Sequence, residues 1–379
     1  MKMLYIKHRS GKVMNNFALS AILAARELGI DFTIANNMSM ADKEHFKQIC
    51  EFYGIKMVHI DFDRNPLSPK NLHARKQLLA LMREEKYDIM HCNTPSGGMV
   101  GRLCAAQMKT SKVIYMAHGF HFWTGAPLKY WVLYYPVERF LAHLTDRIIT
   151  INKEDFERAK RFHYKKGGKA VYVPGVGIDI QKFQFDNDVR AKKRDELGIK
   201  NNEIMLLSVG ELNENKNQKV VIEAIEKLNR KDIKYVICGV GPLEGALKTM
   251  ARNLGVMEQV IFAGFRTDIK EYYQAADAFV ISSFREGLSV SLMEAMSTGI
   301  PCIAGSIRGN VDLLPNSCLL FDVKDSNDLC NKIILAIKPD VRKKEVEQNT
   351  EKVKDYSVQN ATTAMKKIYN EVISEMENG

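Results

Sequence analysis

Two glutamates in the second half of the chain, Glu286 and Glu294, have a spacing that could serve chemistry, with seven residues between them. A strand-like apolar run precedes Glu286, a turn follows at Gly287, and a helical pattern then continues to Gly299. A helix that begins where a strand ends points its first N–H groups and the positive end of its dipole outward, which suits a phosphate. The carboxylates would lie beside this phosphate and accept hydrogen bonds from hydroxyls, as on a sugar and a ribose.

The same residues also allow a purely structural interpretation. Ser291 and Glu294 have the spacing of a capping box, in which Glu294 would only tie down the end of the helix. Glu286 would then be an ordinary loop acid. Spacing alone leaves both interpretations open.

Polar loops follow two further predicted strands of the second half. Lys216 stands at a helix start after the loop that begins at Gly210, and an ammonium group there suits a diphosphate, with a plain surface lysine as the alternative. Gly239 and Gly241 form a Gly-x-Gly turn after another strand, which is a weak dinucleotide signal because the third glycine is missing.

In the first half, His118 directly follows an apolar strand, at the strand end where ligands of parallel sheets bind. A structural histidine is the alternative. The loop from His8 to Asn16 follows the first strand and contains Gly11.

The elements that must position these residues alternate between strands and helices. The predicted strands are 3–6, 32–35, 56–60, 88–91, 113–117, 147–151 and 170–173, then 204–209, 235–238, 260–262, 278–281 and 302–304. Such alternation predicts α/β architecture with parallel, doubly wound sheets. The pattern breaks in the Gly-rich and charged stretch 174–202, so we place a domain boundary near Lys182 to Asp188. From Asn327 onwards the pattern is helical.

With these motifs in place, residues 282–305 resemble the E-x7-E block of the family 4 retaining glycosyltransferases, which have the GT-B fold. The matching residues are Glu286-Gly287, Glu294-Ala295-Met296, Gly299, Pro301 and Ile303-Ala304, while Cys302 replaces the usual Val. The resemblance implies two Rossmann-like domains facing across a cleft, with C-terminal helices crossing back to the first domain. We expect an acceptor-side domain at 1–185, a nucleotide-sugar domain at 186–355 and a returning helix at 356–379.

The resemblance also implies roles for individual residues. Glu294 would bind the ribose hydroxyls, Glu286 the sugar hydroxyls, and Lys216 with the helix start near Ser289 the diphosphate. Glu211 stands where the family commonly has a diphosphate-binding Arg, and Arg266 is a candidate replacement. The predicted catalytic residues are Glu286, His118 and Lys216. The predicted donor-binding residues are Gly11, Gly210, Asn215, Gly239, Phe265, Arg266, Gly287, Leu288, Ser289 and Glu294.

Composition limits the class of protein and its partners. The net charge of +10 and the hydrophobic fraction of 46% are typical of a globular chain with acidic ligands. No run approaches the roughly 20 apolar residues that span a bilayer. The N-terminal residues do not resemble a signal peptide and the seven cysteines are scattered, which predicts a cytoplasmic protein.

The expected partners are a UDP-sugar donor and a lipid-linked sugar acceptor of bacterial surface polysaccharide assembly. We expect no metal or other cofactor, because no Asp-x-Asp pair stands in a suitable loop, and no nucleic acid, because no recognisable binding module is present. The alternatives are a sugar-nucleotide epimerase or hydrolase of the same fold, or a basic membrane- or nucleic-acid-binding protein.

A basic cluster beside an aromatic-rich segment suggests peripheral contact with an anionic membrane at the inner face of the plasma membrane. A buried helix beside a solvated basic loop is the alternative. The cluster consists of Arg158, Lys160, Arg161, Lys165, Lys166 and Lys169.

Overall fold

The computed structural model describes residues 1–12, 14, 16–66 and 68–378. Val13 and Asn15, which belong to the predicted first loop, lie outside the described residues.

The strands and helices alternate along the chain. The strands are β1 Lys2–Arg9, β2 Asp31–Asn37, β3 Lys56–His59, β4 Ile89–Asn93, β5 Lys112–Ala117, β6 Arg147–Thr150, β7 Lys169–Tyr172, β8 Ile204–Val209, β9 Ile233–Cys238, β10 Val260–Gly264, β11 Ala278–Ile281, β12 Cys302–Gly305 and β13 Leu320–Phe321. The helices are α1 Leu19–Glu27, α2 Lys43–Tyr53, α3 Asn71–Glu84, α4 Pro95–Met108, α5 Leu128–Ala142, α6 Lys153–Ala159, α7 Asn187–Glu196, α8 Gln218–Leu228, α9 Glu244–Asn253, α10 Ile269–Ala275, α11 Val290–Thr298, α12 Asn310–Leu313, α13 Ser326–Ala336, α14 Pro339–Val353 and α15 Val358–Glu377. The predicted strands are present, and β13 was missed because two residues show no periodicity.

The chain forms two compact units, Met1–Gly177 with the segment from Val358 onwards, and Ile178–Ser357. The first change of unit lies earlier than the predicted boundary after residue 185. Ile178 and Phe183 belong to the hydrophobic core of the second unit, and the Ile178 amide donates to the carbonyl of Tyr356 at 3.0 Å. The linker-like stretch therefore contributes to the second core.

The sheet of the first unit is parallel, in the order β3-β2-β1-β4-β5-β6-β7. Helix α4 lies unusually close to this sheet. A Cβ atom on Gly98 would be 2.4 Å from a ring carbon of Tyr115, and one on Gly101 would be 2.5 Å from Sγ of Cys92. Only glycine fits at these two positions, and the close approach brings the start of α4 to the carboxyl end of β4.

Helix α15 belongs to the first unit. Its Tyr369 hydroxyl lies 2.7 Å from Nδ1 of buried His91 on β4, and Lys366 pairs with Glu27 of α1 at 2.7 Å. The C-terminal helix is therefore held by a buried polar contact as well as by apolar packing.

The sheet of the second unit is also parallel, in the order β10-β9-β8-β11-β12-β13. In both sheets the strand order reverses beside the first strand, between β1 and β4 and between β8 and β11. Ligands of doubly wound sheets bind at the carboxyl edge of such switch points. We therefore expect the catalytic and ligand-binding residues at the carboxyl edges of these two switch points.

Candidate active site

Lys216 and Glu286 form an ion pair at the switch point of the second unit. Lys216 lies in the loop after β8 and Glu286 in the loop after β11, and Nζ is 2.7 Å from Oε1. The lysine side chain passes Gly210, where a Cβ atom would be 3.2 Å from Cε. Both side chains remain partly exposed, at 23% and 14%. The structure thus brings together two of the three residues predicted to be catalytic.

Asn215 joins the two loops that carry this ion pair. Its carbonyl accepts from the amide of Phe284 at 2.8 Å, and its Nδ2 donates to the carbonyl of Arg285 at 3.0 Å. The predicted donor-binding residue is therefore placed where it positions Lys216 and Glu286.

Two further residues that hold these loops were missed from the sequence. Asn217 is buried in a left-handed conformation, and its Nδ2 donates to the carbonyls of Ser282 and Val323 at 3.3 and 2.8 Å. Nε of Arg308 donates to the carbonyl of Glu286 at 3.1 Å. No local pattern could identify Arg308, because its partner is a backbone oxygen 22 positions away.

Helix α11 begins at the other side of the Glu286 loop. Ser289 is its N-cap and accepts a hydrogen bond from the amide of Leu292 at 3.3 Å. The capping box suggested by Ser291 and Glu294 is therefore not formed, since Glu294 lies in the second turn. Gly287 and Leu288 immediately precede this cap, so their backbone lies beside a helix N-terminus that favours an anion.

Glu294 is held by a tyrosine. The Tyr273 hydroxyl donates to Oε2 of Glu294 at 2.9 Å, and among the described residues it is the only hydrogen-bond partner of this carboxylate. Burial raises the pKa of Glu294, while the Tyr273 hydrogen bond and the charge of Lys182 act in the opposite direction. The remaining carboxylate oxygen can accept hydrogen bonds from a diol such as a ribose.

Gly239 packs three loops together. A Cβ atom there would be 1.9 Å from the carbonyl oxygen of Gly210, and its amide donates to the carbonyl of Gly264 at 2.8 Å. The Gly-x-Gly turn therefore serves close backbone approach at the sheet edge.

The loop after β10 carries two further predicted donor-binding residues, Phe265 and Arg266. Phe265 is 74% exposed. The Arg266 Nε donates to the carbonyl of Ala263 at 2.8 Å, and its guanidinium lies 5.6 Å from the centre of the Tyr272 ring. These contacts hold Arg266 beside its own loop and α10, so its role as a replacement for the family Arg stays a prediction.

In the first unit, His118 follows β5 and belongs to a buried polar chain. Its Nε2 is bonded to Oδ1 of Asn93, whose Nδ2 donates to the Tyr5 hydroxyl. Since Oδ1 can only accept, Nε2 carries the proton and Nδ1 has a free lone pair; Nδ1 is buried without a partner. Burial lowers the pKa of His118 to about 4, so the ring is neutral at pH 7.

Gly11 lies exposed in the loop after β1. No described contact joins it to His118, and its predicted role as a donor-binding residue is untested by the geometry.

Four of the six cations of the basic cluster have carboxylate partners. The pairs are Arg158–Glu154 at 2.8 Å, Lys160–Glu157 at 2.9 Å, Lys165–Asp146 at 3.4 Å and Lys169–Glu371 at 2.9 Å. Within the described residues, Arg161 and Lys166 have none. Acids from α6, from the position just before β6 and from α15 thus offset a charge that looks unopposed in the sequence.

The described residues show neither a metal-binding cluster nor a membrane-spanning helix. Within the described ranges, no group of three or more His, Cys, Asp or Glu side chains is arranged to hold a metal ion. None of the helices described combines the length and the apolarity that a bilayer crossing requires.

Two family models match the chain. The model described as glycosyl transferases group 1 matches residues 189–353, and the model described as glycosyl transferase 4-like matches residues 2–152.

Two curated proteins are similar over about three quarters of their length. The chain is 39% identical over 281 residues to the proposed glycosyltransferase EpsD of Bacillus subtilis, covering 72% of this chain and 74% of that protein. It is 31% identical over 278 residues to the UDP-Gal:alpha-D-GlcNAc-diphosphoundecaprenol alpha-1,3-galactosyltransferase of Escherichia coli, covering 72% of each.

Among solved structures, Anabaena HepE in complex with UDP-glucose is similar in fold. The TM-score is 0.79 at 19% identity, over 98% of this chain and 100% of that one. At this identity the likeness concerns the architecture alone.

Proposed function

Because this chain belongs to the family 4 glycosyltransferases of the GT-B fold, we propose that it transfers a hexosyl unit from a UDP-sugar to a lipid-linked sugar acceptor in bacterial surface polysaccharide assembly. Family membership makes the chain a glycosyltransferase and disfavours the epimerase, hydrolase and pure binding-protein alternatives. The Escherichia coli relative, named for a UDP-sugar and a diphosphoundecaprenol-linked acceptor, supports this choice of substrates.

The observation that carries the proposal is the Lys216–Glu286 ion pair beside the start of α11. In the proposed donor complex, Lys216 and the first amides of α11 bind the diphosphate, Glu294 the ribose and Glu286 the sugar hydroxyls. Positive charge fixed in advance stabilises the diphosphate as it leaves, which is the main electrostatic demand of the reaction.

The proposed transfer retains the configuration at the anomeric carbon. The bond from that carbon to the diphosphate oxygen breaks, and a bond to the acceptor oxygen forms on the same face. The acceptor proton moves to the leaving diphosphate, so no protein nucleophile is needed. Lys216 and the dipole of α11 supply the positive charge, and we propose that they do so without a metal ion or other cofactor.

We place the enzyme in the cytoplasm, peripherally on the inner face of the plasma membrane. Helix α5 supports this placement better than the basic cluster does. It exposes Leu128, Val132 and Phe140 to 77%, 68% and 61%, and Lys129 and Arg139 lie on the same helix. Apolar side chains flanked by cations are typical of helices that lie on anionic membranes.

The test is the Glu286→Gln variant, compared with Glu214→Gln as a matched control in the neighbouring exposed loop. Glu286→Gln removes the charge that orients Lys216, so we expect kcat to fall by about two orders of magnitude with an unchanged melting temperature. Transfer of labelled sugar from a panel of UDP-, GDP- and ADP-sugars to membrane lipid extracts is measured. Equal activity of the two variants would contradict the proposed site.

A further inference from the structure

Lys7, near the carboxyl end of β1, is a largely buried lysine without an ion-pair partner among the described residues. Only 7% of it is exposed, and among the described residues no carboxylate lies within ion-pair distance of its ammonium group. Burial lowers the pKa of Lys7 to about 8. Partial loss of hydration without a compensating charge opposes folding, so such a residue is explained most simply by a ligand that compensates its charge.

Asn36 on β2 lies beside Lys7 and is also unpaired. Ile6 pairs with Ala35 and Arg9 with Asn37, and the register of β1 and β2 shifts between these two pairs, so Lys7 and Asn36 lie side by side at the irregular ends of neighbouring strands. Asn36 is fully buried, and neither its Nδ2 nor its Oδ1 has a hydrogen-bond partner. Orphaned amides of this kind are rare in folded proteins, and their donor and acceptor groups remain free for a polar ligand.

Asn93 and His118 extend the same face on the other side of β1. Tyr5 and His91 are partners in the β1–β4 register, so Asn93, two residues on from His91, points to the face of Tyr5, and its Nδ2 donates to the Tyr5 hydroxyl. His118 is bonded to Asn93, and its Nδ1, like the amide of Asn36, is buried without a partner. Polar groups from four strand ends thus converge at the switch point of the first sheet.

The charge around this face is positive. Burial is the largest cause that lowers the pKa of His8, and the nearby charges of Arg9, Arg64 and Lys7 lower this pKa further. Within the part of the chain that the structure describes, neither Arg9 nor Arg64 forms an ion pair. The surroundings therefore favour an anion rather than a neutral ligand.

The backbone beside Lys7 is strained. Thr94, between Asn93 and α4, has φ of +72°, which is unfavourable for a β-branched residue. Its hydroxyl accepts a hydrogen bond from the amide of His8 at 3.2 Å. Strain of this kind concentrates at functional sites, where other contacts hold it in place.

We propose that Lys7 and Asn36 bind phosphoryl oxygens of an anionic ligand at the carboxyl edge of the first sheet. Resting on the proposed function, the ligand is the diphosphate that links the acceptor sugar to its lipid. Nζ of Lys7 supplies the charge, and Nδ2 of Asn36 donates a hydrogen bond to the same group. Free phosphate has the same chemistry, and the test separates the two sources.

The test measures anion binding by calorimetry in the full chain carrying Lys216→Met, so that the cation of the second unit is absent. The probes are geranyl diphosphate, inorganic pyrophosphate and inorganic phosphate. We expect one site, with geranyl diphosphate bound at least tenfold more tightly than inorganic phosphate. Adding Lys7→Met should weaken this binding by at least tenfold, and Asn36→Leu by about threefold to tenfold.

Lys56→Met is the matched control, because Lys56 is an exposed lysine at the amino end of β3, near Asp31 and Glu85. It should leave binding unchanged. Equal affinity for geranyl diphosphate and inorganic phosphate, both lost in Lys7→Met, would support the site with free phosphate as its ligand. Unchanged binding in both Lys7→Met and Asn36→Leu would overturn the proposal.

Folding and the donor site are monitored separately. The melting temperature of Lys7→Met should equal or exceed that of the parent, since a buried unpaired charge has been removed; a lower value would mean that Lys7 is structural and would overturn the proposal. UDP binding is measured in the chain with Lys216 intact. Failure of UDP to bind there would count against the proposed function, while the result with geranyl diphosphate would still decide the role of Lys7.

Discussion

Lys216 and Lys7 occupy corresponding places in the two units and have opposite electrostatic states. Each lies at or just after the carboxyl end of the first strand of its sheet, beside the switch point. Lys216 is partly exposed and paired with Glu286 at 2.7 Å, whereas Lys7 is buried and unpaired. A compensated lysine is held in place before the ligand arrives, and an uncompensated one gains its partner only from the ligand. The two sites should therefore respond differently to charge removal and to pH.

Breaking the Lys216–Glu286 ion pair should have the largest effect on the rate of transfer. We expect Lys216→Met to lower kcat/KM by about 10²- to 10³-fold, because the diphosphate loses a fixed cation. In the double variant with Glu286→Gln the losses should be less than additive, since each residue acts partly by orienting the other. Steady-state transfer kinetics of the four proteins measure this.

Lys219→Met, on the exposed face of α8, is the control for Lys216→Met. If kcat/KM of Lys216→Met were within threefold of this control, the proposed role of the Lys216–Glu286 pair in donor binding would be refuted.

The pH dependence of stability should sharpen the contrast at Lys7. Its folded pKa is about 8, below the ordinary 10.5, so the unfolded chain binds more protons between these values. The penalty for ionised Lys7 is therefore complete below pH 8 and declines as pH rises towards 10.5. We expect Lys7→Met to be more stable than wild type by about 2–3 kcal/mol at pH 7 and by much less at pH 10.5.

Urea unfolding of both proteins at the two pH values provides this measurement. A stability difference that does not change with pH would mean that Lys7 is not an uncompensated buried cation.

Replacing His118 should lower the transfer rate less than replacing Lys216, and it should leave the pH dependence of the rate unchanged. Its pKa of about 4 keeps the ring neutral from pH 5.5 to 8, so its loss should not alter the shape of the pH–rate profile in that range. We expect His118→Asn to lower kcat by about tenfold, because Nδ1 no longer accepts a hydrogen bond from a substrate hydroxyl. A rate step near pH 6.5 that disappears in the variant would contradict this assignment.

Removing charge from the basic cluster should have the smallest effect on transfer activity. Arg161→Gln with Lys166→Gln removes its two cations without carboxylate partners among the described residues, and we expect less than a twofold change in transfer in detergent. Binding to anionic vesicles should fall by no more than about threefold. Val132→Ser on α5 should reduce vesicle binding more, and the reverse order would favour the basic cluster as the membrane contact.

The sequence predicted the alternation of elements well, because parallel strands buried on both faces are continuous apolar runs. The family resemblance implied that Glu286 and Lys216 belong to one donor site, and the structure pairs their side chains at 2.7 Å. The hydrogen-bond partners of the site residues could not be predicted from the sequence. The link from Asn215 to the Arg285 carbonyl and the Tyr273–Glu294 hydrogen bond join residues far apart in the chain.

Charge was the property that the sequence described least well. The cluster around Lys160 looks unopposed along the chain, yet acids such as Glu371 reach it through the fold. Lys7 is one basic residue among several in a short segment, and nothing in its type or spacing marks it as buried. Only the pairing of β1 with β2 shows that its end of the strand lies beside the unpaired amide of Asn36.

The most direct test of the central claim is release of nucleoside diphosphate from a UDP-sugar, with and without a lipid-linked sugar acceptor. We expect the acceptor to raise this release severalfold or more and labelled sugar to appear on the lipid in equal amount. Lys216→Met should lower both by about 10²- to 10³-fold. Equal release without acceptor, and no sugar on the lipid, would show that the site does not perform glycosyl transfer.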